Sequence, residues 1–233
     1  MIEIYLFVNP IGPICYQSEL TLLDALSDQR KKIQLHILPI MNLHTVGISM
    51  DYLSMDRSDL GLRNQQTSQI YQASLDYKAA QLQGRKIARD FLLKLQCQVG
   101  VNKEPYSFEL VKQIFAETNG DLDMFLEDRK SDLIKQNFAS DQSVAREMGI
   151  TMSPSAVVYN FGCERDYGVL LEGMEALRNI PHLCRTDQEN YRLFYQKKDI
   201  RDADVPRIDS LNRRLVLPVS YTHLRAHETR RHL

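Results

Sequence analysis

The feature that most constrains the fold is a pair of short motifs lying far apart in the chain. Gly12-Pro13-Ile14-Cys15 follows an apolar run at residues 2–8, and Met152-Ser153-Pro154-Ser155 precedes another at residues 156–160. Both runs are short and rich in β-branched or aromatic residues, which is typical of buried strands. The turn-forming residues around the motifs mark strand ends. We therefore expect the first motif to follow one strand and the second to enter another.

The first motif leads into a predicted helix. Apolar residues at positions 20, 22, 23 and 26 roughly fit one helical face, which places Cys15 in the first turn. Unpaired N–H groups at a helix start favour a thiolate there. In a Cys-x-x-Cys site the second thiol resolves mixed disulfides, but Gly12 stands in the first place. Cys15 can then form an adduct without completing a dithiol cycle, or it can be a small buried residue.

The order of these elements resembles the DsbA-like branch of the thioredoxin superfamily. The resemblance rests on the strand, the x-Pro-x-Cys helix start, a long helical stretch and the Gly-Ile-x-x-Ser-Pro-Ser entry at residues 149–155. Residues 77–85 and 145–148 resemble, within that branch, the cytoplasmic Spx-adaptor proteins of Gram-positive bacteria. The resemblance extends to about His182. It implies an α/β, thioredoxin-like fold with a DsbA-type all-helical insert, and it matches Pro154 to the family's cis-proline.

The chain is predicted to contain five segments. They are a first part of the thioredoxin-like core (1–55), a helical insert (56–148), a second part of the core (149–182), a C-terminal extension (183–217) and a tail (218–233). Alternation at residues 32–39 predicts a second strand. Helices are expected at 64–83, 85–99, from the N-cap Ser107 to about Asn119-Gly120, at 121–137 and at 140–148. Residues 156–160 and 167–172 predict a hairpin, followed by a closing helix near 174–179.

The tail differs abruptly in composition from the rest of the chain. Residues 218–233 hold three of the six histidines, and the run resembles a translated sequencing-adapter read-through. We expect this tail to be non-native. His223, His227 and His232 are then not a metal site.

Composition excludes several classes of protein. The chain has 233 residues, is 43% hydrophobic and carries a net charge of −1, which argues against nucleic-acid binding. An apolar run long enough for a membrane span is absent, as is a signal peptide, so we expect a cytoplasmic location. The four cysteines lack metal-site or disulfide-framework spacing. A disulfide between Cys15 and either Cys97 or Cys163 stays an open alternative, because sequence does not give their separation.

Two functions are consistent with these residues. The resemblance implies an adaptor that binds the transcription factor Spx and promotes its degradation by the ClpXP protease, without a cofactor or metal. The expected binding groove consists of Gly12, Pro13, Ile14, Cys15, Ser153 and Pro154. The alternative is a DsbA-like thiol oxidoreductase or a glutathione-dependent isomerase or transferase, with Cys15 as the catalytic thiol. A degenerate fold kept for another interaction is a third possibility.

Overall fold

The computed structural model of the chain describes residues 1–27, 32–163, 167–186, 189 and 217–220. Its strands are β1 (Ile2–Val8), β2 (Ile33–Pro39), β3 (Ser155–Asn160), β4 (Tyr167–Glu172) and β5 (Leu217–Ser220). They form one sheet in the order β2-β1-β3-β4-β5. The four strands predicted from hydrophobic pattern are confirmed. β5 was not predicted, and it spans the boundary between the expected extension and the expected tail.

Hydrogen bonds at the strand ends give the strand directions. Ile2 N donates to Lys32 O at 3.2 Å, and Ile40 N donates to Val8 O at 2.9 Å, so β1 and β2 run parallel. β3 and β4 are antiparallel with Ala156 opposite Leu171, which confirms the predicted hairpin. β5 also pairs antiparallel with β4.

The described residues form nine α-helices and one π-helical segment. The α-helices are α1 (Pro13–Ser27), α2 (Leu43–Tyr52), α3 (Leu60–Leu82), α4 (Arg85–Leu95), α5 (Phe108–Ala116), α6 (Leu122–Asp128), α7 (Asp132–Glu147), α8 (Gly173–Leu177) and α9 (Ile180–Leu183). The π-helical segment, Gln96–Val101, directly continues α4. The expected N-cap is confirmed, since the Ser107 side chain accepts from Leu110 N at the start of α5.

One helix was not predicted, and one predicted helix break was wrong. The unpredicted helix is α2, which a capping box begins: Asn42 Oδ1 accepts from Thr45 N at 2.8 Å, and Thr45 Oγ1 accepts from Asn42 N at 2.9 Å. The expected break after residue 137 is also absent. The chain instead breaks before Ser131, whose side chain accepts from Leu133 N and begins α7.

The chain divides into two compact units. The first consists of Met1–Leu6, Leu20–Ile37 and Ser155–Leu233. In it the Tyr5 ring stacks on His36 with centroids 4.7 Å apart and meets Tyr159 edge-on at 6.0 Å. Most of the expected C-terminal extension (183–217) and the histidines of the tail lie outside the described residues.

The second unit consists of Phe7–Glu19 and Leu38–Pro154. It contains α2 to α7, which include the predicted insert, together with both sequence motifs up to Pro154. Its aromatic core joins α4, α5 and α6: Phe115 stacks on Phe125 at 3.9 Å, and Phe91 lies 5.8 and 5.7 Å from them. The two motifs therefore lie within one unit.

Buried ion pairs also hold the helices of the second unit. Lys78 Nζ donates to Asp141 Oδ2 at 2.7 Å, which links α3 to α7. Asp76 of α3 accepts from Arg129 and from the Tyr106 hydroxyl. Burial raises the pKa of Asp76, and the hydrogen bond from Arg129 opposes that rise. Polar contacts thus hold α3 against α7 and against the segments that carry Tyr106 and Arg129.

Candidate functional site

Cys15 lies in the first turn of α1, as predicted, and is 2% exposed. Pro13 begins the helix, where its missing N–H has no cost. Asn9 N donates to Cys15 Sγ at 3.2 Å, and the Ser153 side chain hydrogen-bonds to the same sulfur. The fold therefore brings the two motifs into direct contact at this thiol.

Of the two alternatives for Cys15, a reactive thiol and a small buried residue, the structure favours the second. Burial raises the pKa of the Cys15 thiol to about 12, and the hydrogen bonds from Asn9 and Ser153 offset only part of this rise. At Cys15 desolvation outweighs the helix-start N–H groups that would favour a thiolate, so the structure agrees with the alternative of a small buried residue. At neutral pH Cys15 therefore stays a thiol, whereas the thiolate is the form that reacts.

A buried carboxyl that was not predicted from the sequence lies one helical turn after Cys15. Glu19 is 1% exposed, and burial raises its pKa to about 8, so the carboxyl carries its proton at neutral pH. Gln96 Nε2 donates to Glu19 Oε1 at 2.7 Å and to Asn9 O at 3.2 Å. The four-residue spacing from Cys15 placed Glu19 on the same helical face. Nothing in the sequence pointed to Gln96.

Two glycines fix the loop that precedes Cys15. Gly12, where the first thiol of a dithiol site would stand, is buried, and a Cβ there would lie 3.0 Å from the Asn9 Cβ. Gly100 of the π-helical segment packs on the loop itself. A Cβ at Gly100 would lie 2.9 Å from Ile11 O and 3.0 Å from Pro13 N. Only glycine allows this approach without backbone movement.

The residues of the expected groove are largely buried. Gly12, Pro13, Cys15, Ser153 and Pro154 are buried, and Ile14 is 37% exposed. The Ser153–Pro154 peptide bond is cis, as the resemblance implied. A partner-binding role for these six residues stays a prediction.

The structure places the thiol of Cys97 against a different residue of α1. Cys15 and Cys97 are both free cysteines, and the half-buried Cys97 side chain hydrogen-bonds to Tyr16. No disulfide joins Cys15 to Cys97.

Among the residues that the structure describes, no group of three or more His, Cys, Asp or Glu side chains could hold a metal ion. No helix in that same part of the chain is long and apolar enough to cross a membrane.

The parallel β1 and β2, the Pro-initiated helix with Cys15 and the cis-proline beside it define a thioredoxin-type protein. The chain belongs to the thioredoxin family, whose model, described as Thioredoxin, matches residues 5–182. Among curated relatives it is similar to the ClpXP adapter protein SpxH of Bacillus subtilis (strain 168), with 30% identity over 193 residues. It is also 27% identical over 173 residues to the ClpXP adapter protein SpxH of Staphylococcus saprophyticus.

These alignments cover 74% of this chain and 62% and 61% of the two relatives, so the chain spans about three fifths of their length. The solved structure of the oxidoreductase DsbA from Xylella fastidiosa superimposes with a TM-score of 0.53 and 13% identity. That superposition covers 84% of this chain and 87% of the other, and it concerns the fold alone. The resemblance to the DsbA-like branch and to the Spx adaptors is confirmed.

Proposed function

We propose that this chain is a cytoplasmic adaptor that binds Spx and promotes its degradation by ClpXP. The observation that carries the proposal is the similarity of most of the chain to proteins named ClpXP adapter protein SpxH. An adaptor presents one protein to another through contact surfaces, and this work needs neither a cofactor nor a dithiol cycle.

The site geometry favours this role over the enzymatic one. Gly12 supplies no thiol at the place where a dithiol site attacks its substrate. Cys15 is a buried, protonated thiol that accepts hydrogen bonds from its own protein. A monothiol reaction with glutathione would need this sulfur to become exposed and to lose its proton. The arrangement instead resembles a thioredoxin-type site kept as a structural element.

Reconstituted degradation tests the proposal directly. Purified Spx and ClpXP from the same organism are mixed with and without this chain, and loss of Spx is followed over time. An unrelated ClpXP substrate is the control, and its rate should not change. We expect Spx to be lost several-fold faster in the presence of the chain. Equal rates, with no Spx retained in a pull-down, would overturn the proposal.

A truncated chain that ends at Ser220 should be assayed in parallel with the full chain. This end point keeps β5, which pairs with β4, and removes most of the tail that is expected to be non-native. Equal activity of both forms is expected if residues 221–233 take no part.

A further inference from the structure

The turn that follows β3 lies against the C-terminal end of α9, within the first unit. Asn160, the last residue of β3, is 7% exposed, and its Nδ2 donates to Leu183 O at 2.8 Å and to Arg185 O at 3.0 Å. These two carbonyls belong to the residues on either side of Cys184, which is the C-cap of α9. The Asn160 side chain thus holds the turn beside the backbone around Cys184.

Asn160 also shapes the turn that carries a second cysteine, Cys163. The Asn160 Oδ1 accepts from Gly162 N at 3.0 Å, and the Asn160 O accepts from Cys163 N at 3.2 Å. The Cys163 Sγ donates to Arg185 O at 3.3 Å. The Cys163 sulfur therefore reaches the residue that directly follows Cys184.

The thiols of Cys163 and Cys184 differ in accessibility. Neither forms a disulfide in the structure, Cys163 is half-buried, and Cys184 is 0% exposed. A half-buried thiol can meet a small oxidant, whereas a fully buried thiol reacts only with a group that is brought to it. Redox-sensing cysteines have this arrangement, in which an accessible thiol is oxidised first and a neighbouring thiol resolves the product.

We propose that Cys163 and Cys184 form a redox-sensitive pair that closes to a disulfide when the chain meets a small-molecule disulfide such as oxidised glutathione. The Cys163 thiolate attacks one sulfur of the oxidant, which forms a mixed disulfide and releases one glutathione. Cys184 then loses its proton and attacks the Cys163 sulfur, which releases the second glutathione. The protein gives up two electrons and two protons, and the oxidant is reduced to two glutathione thiols.

The disulfide ties the turn after β3 covalently to the point where the chain leaves α9. The C-terminal extension expected from the sequence (183–217) begins at this point. Oxidation therefore fixes the start of the extension to the sheet, where hydrogen bonds hold it in the reduced chain. In a reducing compartment such a disulfide is transient, so the pair acts as a switch. The switch operates whether or not the chain presents Spx to ClpXP.

Oxidation of the folded full chain tests the pair. The dilute, reduced chain is incubated with excess oxidised glutathione, the remaining thiols are blocked with N-ethylmaleimide, and the peptides are mapped by mass spectrometry without reduction. We expect a crosslinked peptide that joins Cys163 to Cys184. In C184S, Cys163 should accumulate as the mixed disulfide with glutathione. In C163S, Cys184 should take up glutathione at least about tenfold more slowly than Cys163 does in C184S, because Cys184 is buried.

Cys97 is the internal control, because it is half-buried like Cys163 but hydrogen-bonds to Tyr16 instead. Cys97 should carry glutathione and enter no disulfide with Cys163 or Cys184. The proposal fails if Cys163 of the wild type stays unmodified, keeps its glutathione while Cys184 is recovered as a thiol, or pairs with another cysteine. A crosslink that forms only in urea would also overturn it, because the folded chain then holds the two Cα atoms more than about 7 Å apart.

Discussion

Gln96 Nε2 donates to Glu19 Oε1 at 2.7 Å and joins the start of the π-helical segment to α1 one turn after Cys15. The same nitrogen donates to Asn9 O, the residue whose N–H contacts the Cys15 sulfur. The Gln96 side chain, which belongs to the helical insert, thus hydrogen-bonds both to the buried Glu19 carboxyl and to the loop that contains Asn9. The surroundings of Cys15 are set by residues that are distant in sequence.

Alkylation rates should separate the thiols of Cys15 and Cys97. Cys15 is 2% exposed, and burial raises its pKa to about 12, whereas Cys97 is half-buried. With iodoacetamide at neutral pH, we expect Cys97 to react at least about tenfold faster, as measured by peptide mass spectrometry. Under denaturing conditions the two rates should become similar. Faster reaction at Cys15 in the native chain would restore the enzymatic alternative.

Glu19 should make stability depend on pH. Its pKa rises from an ordinary value of 4.5 to about 8 in the folded chain, mainly because it is buried. The folded state therefore binds this proton more tightly than the unfolded state. The stabilisation that the Glu19 proton adds to the free energy of unfolding is fully present below pH 4.5. It is lost as pH rises towards 8, at up to ~1.4 kcal/mol per pH unit.

The E19Q substitution removes this titration while keeping the oxygen that accepts from Gln96. Between about pH 5 and about pH 9, the free energy of urea unfolding should depend less on pH in E19Q than in the wild type. The stability of E19Q relative to the wild type should therefore increase as pH rises. E109Q is a suitable control, because Glu109 is an exposed residue in the first turn of α5. Parallel profiles for E19Q and the wild type would show that Glu19 does not titrate in this range.

Gly100 should not tolerate a side chain. The Cβ of G100A would lie 2.9 Å from Ile11 O and 3.0 Å from Pro13 N, and both are backbone atoms. We expect a loss of about 1–3 kcal/mol in the free energy of unfolding, measured with urea. In G47A the nearest atoms belong to the end of the Arg57 side chain, which can move, so a change within about 1 kcal/mol is expected. Equal losses in both variants would contradict the close packing on the loop.

Removing one partner of the buried ion pair between Lys78 and Asp141 should lower the free energy of unfolding strongly. Lys78 and Asp141 have side chains 5% and 0% exposed. K78M leaves the buried Asp141 carboxylate without its ammonium partner, and it should lower the free energy of unfolding by about 3–5 kcal/mol. The double variant K78M/D141L should recover much of that loss. Additive losses in the double variant would show that the two side chains are not energetically coupled.

Elements with strong local signals could be predicted from the amino-acid sequence alone. The apolar runs gave the first four strands, Ser107 gave the start of α5, and Gly12 showed that the dithiol motif is incomplete. The order of the two motifs identified the fold. The strand, helix-start and motif signals each depend on residues close together in the chain, where hydrophobic pattern and turn chemistry act directly. Where local signals competed, as around residues 129–140, the predicted helix break was misplaced.

The chemistry of the site, in contrast, depends on packing between distant segments, which the sequence pattern does not show. The position of Cys15 in a helix start left a thiolate and a small buried residue as alternatives, and hydrogen bonds from Asn9 and Ser153 accompany a burial that keeps the thiol protonated. Gln96 and Gly100 reach the loop from a distant part of the chain. A pKa depends on how completely packing removes water from a group, and that packing is assembled from segments far apart in sequence.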